Sequence, residues 1–110
     1  MKKNLEYNYN IKQEETFKEE IKELYRYISS NLNEKKIAIR LVNTIISKLK
    51  ILEVFPFAYK LYKKEENFEY RKFIVKNYVI IYKINLNKKE VKILHIYNQR
   101  VNYKKSPILL

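Results

Sequence analysis

The chain contains no glycine, cysteine, tryptophan or aspartate, and its one histidine is His95. A chain without glycine cannot form the glycine-rich loops that hold phosphates or dinucleotides. Without cysteine and with one histidine, it has neither a disulfide framework nor the usual ligands of a zinc site. The lack of aspartate argues against a paired-carboxylate hydrolase or a two-metal nuclease. We therefore expect no metal and no cofactor, so that any catalysis uses Arg, Lys, Tyr, His or an isolated Glu.

Long hydrophobic runs are also missing, since no stretch approaches the roughly 18 apolar residues of a membrane span. Residues 1–7 are basic but lack the apolar segment of a secretory signal. Hydrophobic residues make up 46 % of the chain and are spread along it, which is typical of a globular protein. A chain of 110 residues corresponds to one domain, 1–110, and we expect it to be cytoplasmic.

The whole chain has a formal net charge of +12, and the positive charge is concentrated in its later part. Residues 1–32 contain six Lys or Arg and six Glu, whereas residues 33–110 contain 18 Lys or Arg and six Glu. Such an excess indicates a surface for an anionic partner. A composition rich in Lys, Asn, Ile and Tyr is also what AT-rich coding produces, so the charge alone leaves both explanations open.

The first third of the chain changes from strand to helix periodicity. Apolar residues alternate with polar ones at Leu5, Tyr7, Tyr9 and Ile11. This period of two predicts a first strand with one buried face. From Glu14 onward, apolar residues recur at spacings of three and four, at Phe17, Ile21, Leu24, Tyr25, Ile28 and Leu32. That spacing predicts a helix of about five turns.

A second helical pattern follows, with apolar residues at Ala38, Leu41, Val42, Ile45, Leu49 and Leu52. Pro56 ends it, because proline interrupts a helix. The connection at residues 31–33 is short, so the two helices should form an antiparallel hairpin. Residues 57–67 have no clear period and contain Lys60, Lys63 and Lys64, and we interpret them as a basic loop.

Three strands are predicted in the last part of the chain, over residues 68–75, 78–84 and 91–97. Asn77 and residues 85–87 provide the turns, because asparagine tolerates the left-handed conformation in a chain without glycine. The predicted fold class is α+β with the order β-α-α-β-β-β. In this arrangement the helical hairpin packs on one face of a mostly antiparallel four-stranded sheet.

Two C-terminal segments resemble toxins of the RelE/ParE superfamily, which belong to bacterial toxin-antitoxin pairs. They are residues 70–82, YRKFIVKNYVIIY, and residues 91–100, VKILHIYNQR. In that superfamily an arginine opens one strand, a tyrosine-rich central strand follows, and the last strand enters a short basic motif. Residues 52–56 also resemble the turn that closes its second helix. The resemblance implies a RelE/ParE-like fold and a cognate antitoxin whose disordered segment folds over the toxin.

The same resemblance implies three catalytic residues. Arg71 matches the strand arginine that contacts the scissile phosphate in ribosome-dependent RNases, and its planar fork suits that role. The alternative is a strand arginine paired with a glutamate such as Glu69. Arg100 follows the last strand, where the superfamily carries a basic residue able to stabilise charge on a phosphate. Tyr103 resembles a C-terminal tyrosine that stacks on a base or handles a proton, with packing against the sheet as its alternative.

Four further residues are candidates for RNA binding, namely Lys60, Lys63, Lys64 and Tyr97. Tyr97 occupies the position at which the superfamily often has a histidine. His95 precedes it by two residues within an apolar run, and it better fits a packed strand histidine than an acid-base catalyst.

Three functions are compatible with these residues. The first is a ribosome-dependent mRNA endonuclease, in which arginines and lysines stabilise the transition state without metal while the RNA supplies its own 2′-hydroxyl as nucleophile. Its partners are the ribosome and mRNA. The second is a ParE-like inhibitor that binds DNA gyrase and catalyses nothing. The third is a toxin without activity, or a basic binding module that acts as an antitoxin sink.

Overall fold

A computed structural model describes residues 8–31 and 33–100. Its elements are β1 (Asn10–Gln13), α1 (Glu15–Arg26), a π-helical turn (Tyr27–Asn31), α2 (Lys35–Leu49), a 3-10 turn (Lys50–Glu53), β2 (Lys60–Lys64), β3 (Phe68–Val75), β4 (Tyr78–Asn85) and β5 (Glu90–Asn98). The sheet has the order β1-β5-β4-β3-β2, in which only the β1–β5 pair is parallel. The predicted α+β class is confirmed, with five strands instead of four. No helix in the described ranges is long and apolar enough to cross a membrane.

The additional strand is β2, and the prediction of a basic loop over residues 57–67 is therefore wrong. β2 pairs antiparallel with β3, and a bulge between Leu61 and Lys63 interrupts its register. Most of its side chains are exposed. A bulged, exposed strand has no continuous alternation of apolar and polar residues, which is why its period is absent from the sequence. Lysines are common on such edge strands because they discourage pairing with other chains.

The hydrophobic core lies between the helices and one face of the sheet. Central strand β4 contributes Ile80, Tyr82 and Ile84, all completely buried. Phe17 of α1 and Ile45 of α2 are equally buried and belong to the same cluster. Because side chains alternate along a strand, the intervening residues of the sheet point to the face that carries no helix.

The turns depart from the prediction in one respect. Among the described residues, positive φ angles occur at Asn33 (55°), Lys76 (56°) and Lys89 (51°), not at Asn77. The register pairs Val75 with Tyr78, so Lys76 and Asn77 form a two-residue hairpin connection. Such connections commonly require a positive φ at their first residue. The strand register makes Lys76 that first residue, so Lys76 adopts the positive φ although asparagine tolerates it better.

The buried hydroxyl of Tyr82 provides a test of the core. It donates a 2.6 Å hydrogen bond to the carbonyl oxygen of Pro56, and burial raises the pKa of Tyr82 so that the hydroxyl stays protonated. Substitution Tyr82→Phe leaves that carbonyl without its donor, and we expect the free energy of unfolding to fall by about 1–3 kcal/mol. Urea denaturation followed by circular dichroism measures this. The control Tyr25→Phe, on half-buried Tyr25, should change it by less than about 0.5 kcal/mol.

Candidate nucleic-acid interface

The face of the sheet opposite the helices carries tyrosines and lysines from four strands. The register places Tyr70 of β3 opposite Lys83 of β4, and both are on this face. Tyr62 belongs to the same face because its ring contacts Tyr70. We define the outer face by Lys60, Tyr62, Lys63, Tyr70, Lys72, Lys83 and Tyr97.

Ammonium groups and aromatic rings are interleaved on the outer face. The ring centroids of Tyr62 and Tyr70 are 6.2 Å apart, with an angle of 61° between the planes. Lys72 Nζ lies 5.2 Å from the Tyr62 centroid, and Lys63 Nζ lies 5.2 Å from the Tyr70 centroid. Lys83 Nζ is 5.7 Å from the Tyr70 centroid. These distances are typical of cation–π contacts, which hold positive charge beside flat aromatic surfaces.

The two tyrosines are kept in their neutral form. Burial raises the pKa of Tyr62, and the nearby hydroxyls of Tyr70 and Tyr97 raise it further. Burial also raises the pKa of Tyr70, with a contribution from Glu65, whose Oε1 accepts a 3.4 Å hydrogen bond from the Tyr70 hydroxyl. Near neutral pH these hydroxyls can therefore donate hydrogen bonds, but they are poor groups for removing a proton.

Three of the four predicted RNA-binding residues lie together on the outer face. They are Lys60, Lys63 and Tyr97, placed there by their pairing partners in the sheet. Lys64 is instead directed to the helix side, opposite Glu69, and its Nζ is 3.8 Å from Glu69 Oε2. Sequence reasoning gave all three lysines the same role because it treated them as one loop, whereas a strand separates them between two faces.

Arg71 lies on the helix side of β3, and its guanidinium is occupied by the protein itself. Its Nε and Nη2 donate to Glu69 Oε1 at 3.1 and 2.6 Å. Its Nη1 donates to the carbonyl oxygens of Phe57 and Tyr59 at 3.2 and 2.6 Å. Four of the five N–H groups of an arginine are thereby used. These contacts support the alternative interpretation, a strand arginine paired with Glu69.

The structure does not bring the predicted catalytic residues together. Arg100 is exposed just after β5, where its backbone N–H donates to Asn98 Oδ1 at 2.9 Å. Arg71 of β3 pairs with Tyr82 of β4, which pairs with Ile93 of β5, so Ile93 lies level with Arg71 two strands away. Asn98 is five residues further along β5. At about 4.8 Å between strands and 3.3 Å per residue, Arg71 and Asn98 are separated by roughly 20 Å. Tyr103 lies outside the described residues.

His95 connects the sheet to α1. Its Nδ1 is 3.2 Å from Glu20 Oε2, while Glu20 Oε1 accepts a 2.9 Å hydrogen bond from the backbone N–H of Ile96. This arrangement fits the packed histidine that the sequence favoured. Within residues 8–31 and 33–100, no group of three or more His, Cys, Asp or Glu could hold a metal ion.

Four residues of the outer face were not singled out from the sequence, namely Tyr62, Tyr70, Lys72 and Lys83. The alternation within β3 already assigns Tyr70 and Lys72 to one face. The sequence does not show that the helices cover the opposite face of β3, and so it does not show that Tyr70 and Lys72 are on the open face. Tyr62 carried no such signal, because the bulge in β2 determines its direction.

A protein-family model matches most of the chain and identifies its family. The model for the ParE toxin of type II toxin-antitoxin systems, parDE, matches residues 11–103. This chain belongs to that family. It is a toxin of the RelE/ParE superfamily, as the sequence resemblance implied. No curated protein is significantly similar to the toxin in sequence.

Solved structures share the toxin's fold at low sequence identity. The chromosomal ParDE toxin-antitoxin system from P. aeruginosa aligns with a TM-score of 0.67 at 16 % identity, covering 84 % of this chain and 97 % of that one. The archaeal RelE-RelB complex from Pyrococcus horikoshii OT3 gives 0.62 at 15 %, covering 84 % and 96 %. The RelBE2 complex from Mycobacterium tuberculosis gives 0.59 at 15 %, covering 83 % and 91 %. At these identities the structural likeness shows that the fold is shared.

The role of Arg71 in the toxin can be tested through stability. Arg71→Ala leaves Glu69, which is only 8 % exposed, without its closest cationic partner. We expect the free energy of unfolding to fall by about 3 kcal/mol, since the buried Glu69 carboxylate keeps only the more exposed Lys64 as a cation and two backbone carbonyl oxygens lose their donor. The control is Lys72→Ala, one residue away on the outer face, with a change of about 0.5 kcal/mol or less. Equal stability of the two variants in urea denaturation would contradict the structural role.

Proposed function

We propose that the toxin arrests translation in the cytoplasm as a ribosome-dependent mRNA endonuclease that holds single-stranded mRNA on its outer face. The observation that carries this proposal is the array of Tyr62 and Tyr70 interleaved with Lys63, Lys72 and Lys83. Proteins that bind single strands combine aromatic platforms, on which bases stack, with cations that follow the phosphates. Stacking is indifferent to base identity, which suits a toxin that acts on many messages.

The reaction in this proposal needs no metal. The 2′-oxygen of the RNA bonds to the adjacent phosphorus, the bond from phosphorus to the 5′-oxygen breaks, and a 2′,3′-cyclic phosphate and a 5′-hydroxyl result. Water takes the proton of the 2′-hydroxyl and water gives a proton to the leaving 5′-oxygen, so the step is balanced. Lys63 and Lys72 supply positive charge for the phosphate in the transition state, and exposed Arg100 is a further cation near Tyr97. The neutral tyrosines hold the bases so that the 2′-oxygen is in line.

A translation extract tests this proposal directly. The purified toxin is added to a bacterial extract, mRNA 5′ ends are mapped, and a ribosome-free reaction runs alongside. We expect new ends only when ribosomes are present, and we expect Lys63→Gln combined with Lys72→Gln to slow their appearance at least about tenfold. The charge-matched control is Lys18→Gln combined with Lys22→Gln, on the exposed side of α1. Intact mRNA in an extract whose translation has stopped would overturn the proposal.

A second candidate is inhibition of DNA gyrase by binding, and two observations favour it. Arg71 and His95 are both engaged in contacts within the protein, and a non-catalytic toxin needs neither of them free. The helical hairpin also exposes large apolar side chains where its two helices meet, with Tyr27 54 % and Ile37 48 % exposed. A supercoiling assay separates the candidates, since persistent supercoiling at micromolar toxin excludes gyrase as the target.

We also propose that a cognate antitoxin binds a groove beside β3. β2 pairs with β3 only as far as Lys72, so the β2-facing side of residues 73–75 has no neighbouring strand within the described part of the chain. A groove of about 1180 Å³ lies between this edge and α2. Its apolar lining includes Val54, Phe55 and Ile74, which are 54–57 % exposed. An extended segment can add to such an edge through backbone hydrogen bonds while its side chains fill the groove.

The charge of the groove favours an acidic antitoxin segment. Four cations line it, contributed by Arg40, Lys48, Lys50 and Lys76, and no carboxylate of a described residue does. Complementary charge speeds association and selects the partner. The solved ParDE, RelE-RelB and RelBE2 structures are toxin-antitoxin assemblies of this fold, which supports an antitoxin partner here.

Neutralisation in cells tests the groove. Ile74→Glu places a carboxylate among the apolar lining residues, and we expect the toxin to remain toxic when its antitoxin is co-expressed. Ile39→Glu is the matched control, because Ile39 is 46 % exposed on α2 but does not line the groove. Growth rate of the co-expressing cells is the readout. Full neutralisation of both variants would show that the antitoxin binds elsewhere.

A further inference from the structure

A second, smaller cavity opens at the far end of the outer face, where β3 begins and β4 ends. Its volume is about 210 Å³, and its lining residues come from β3, β4, β5 and the turn between the last two strands: Phe68, Lys83, Asn85, Lys88, Glu90 and Lys92. At about 30 Å³ per water molecule, this volume holds a phosphate group together with part of its hydration shell. Tyr97 and Arg100 are at the opposite end of β5, so the cavity is separate from them.

Lys83 is held in this cavity by aromatic rings and not by a carboxylate. Its Nζ lies 4.5 Å from the centroid of Phe68 and 5.7 Å from that of Tyr70. The ion pairs between described residues do not include Lys83. A ring attracts an ammonium group without neutralising its charge, so the position of the cation is fixed while its charge remains available to an anion.

Lys88 and Lys92 converge on the same cavity. Asn85 Oδ1 accepts hydrogen bonds from the backbone N–H groups of Asn87 and Lys88 at 3.0 and 3.1 Å, which orders the turn that carries Lys88. Lys92 is directly opposite Lys83 in the register of β4 and β5, and its Nζ also lies 3.9 Å from Glu14 Oε2, in an ion pair whose two side chains are both exposed. Three ammonium groups are thus presented by ordered backbone.

The one carboxylate in the cavity does not balance this charge. Glu90 Oε2 pairs with Lys12 Nζ at 3.0 Å, outside the lining. The hydrogen bond from Lys12 is the main reason that the pKa of Glu90 lies below its ordinary value, and the charges of Lys12, Lys92 and Lys88 add to the effect. Glu90 is therefore ionised and already paired, and the lysines keep a local excess of positive charge.

We infer that this cavity is a phosphate-binding subsite, in which Lys83, Lys88 and Lys92 hold a backbone phosphate of single-stranded RNA. The inference rests on the proposed function and extends it. The RNA strand runs along the outer face from this subsite past Tyr70 and Tyr62 toward Tyr97. The subsite anchors the strand at a distance from the cleaved bond, and it adds affinity without reading sequence, as phosphate contacts do.

Salt dependence of RNA binding tests the subsite. An unstructured, fluorescently labelled RNA of about 12 nucleotides is titrated with the full-length toxin, and anisotropy gives the affinity at several salt concentrations. For single strands the logarithm of affinity changes with the logarithm of salt concentration by about −0.7 for each neutralised phosphate. We expect Lys88→Gln combined with Lys92→Gln, which line the cavity but do not belong to the array of Tyr62 and Tyr70, to reduce the slope by about 0.7 and to weaken binding at low salt about tenfold. Lys18→Gln combined with Lys22→Gln removes the same charge on α1 and should leave the slope unchanged.

The outcomes distinguish the subsite from the function. If the wild-type toxin binds the RNA with a salt-dependent affinity and both double variants match it, the subsite is overturned while the RNA-directed function stands. If the wild-type toxin does not bind the RNA and leaves mRNA intact in the translation extract, the proposed function fails and the subsite fails with it. A reduced slope confined to the Lys88→Gln and Lys92→Gln variant supports both. Circular dichroism confirms that each variant is folded.

Discussion

Side chains of the sheet form hydrogen bonds to the backbone of one short segment, residues 56–59. These bonds determine how the two faces of this toxin differ. Tyr82 of the central strand binds the carbonyl oxygen of Pro56, and Arg71 binds those of Phe57 and Tyr59. Glu69 in turn fixes the guanidinium of Arg71. These bonds position the segment that leads into β2, and the bulge in β2 then turns Tyr62 to the outer face. The hydrogen bond to the Pro56 carbonyl oxygen is buried, and a buried carbonyl oxygen without a donor lowers the stability of the fold. The position of residues 56–59 relative to β4 is therefore tightly constrained.

Charged side chains on the two faces of the sheet have different kinds of partner. On the helix side, Arg71 and Glu69 are largely buried and satisfy each other. On the outer face, Lys72 and Lys83 lie against aromatic rings, which attract a cation without cancelling its charge. Lys63 lies against the Tyr70 ring and also forms an exposed ion pair with Glu65 at 3.4 Å. A charge paired inside the protein contributes to stability, whereas a charge beside a ring remains available for a phosphate. The first kind of contact maintains the fold, and the second provides the proposed RNA surface.

The proposed target surface and the proposed antitoxin groove are adjacent but distinct. The groove follows the edge of β3 at residues 73–75 and is bounded by α2, whereas the aromatic and lysine array occupies the centre of the outer face. Ile74 is the point of contact between them, since it belongs to the outer side of β3 and also lines the groove. An acidic segment bound there would compete electrostatically with RNA over the neighbouring lysines, because unscreened charge acts over about 10 Å at moderate salt.

The sequence by itself determined the helical hairpin, three of the five strands within one residue at either end, the α+β class and the superfamily, because each depends on local periodicity or on the order of motifs. Tertiary structure alone decided the rest. β2 exists because β3 offers it an edge, and its bulge conceals any period. Arg71, a plausible phosphate ligand by position, faces Glu69 and two carbonyl oxygens because β3 turns that side toward the helices. Which lysines share a face follows from register, and register is a property of strand pairs that no single segment contains.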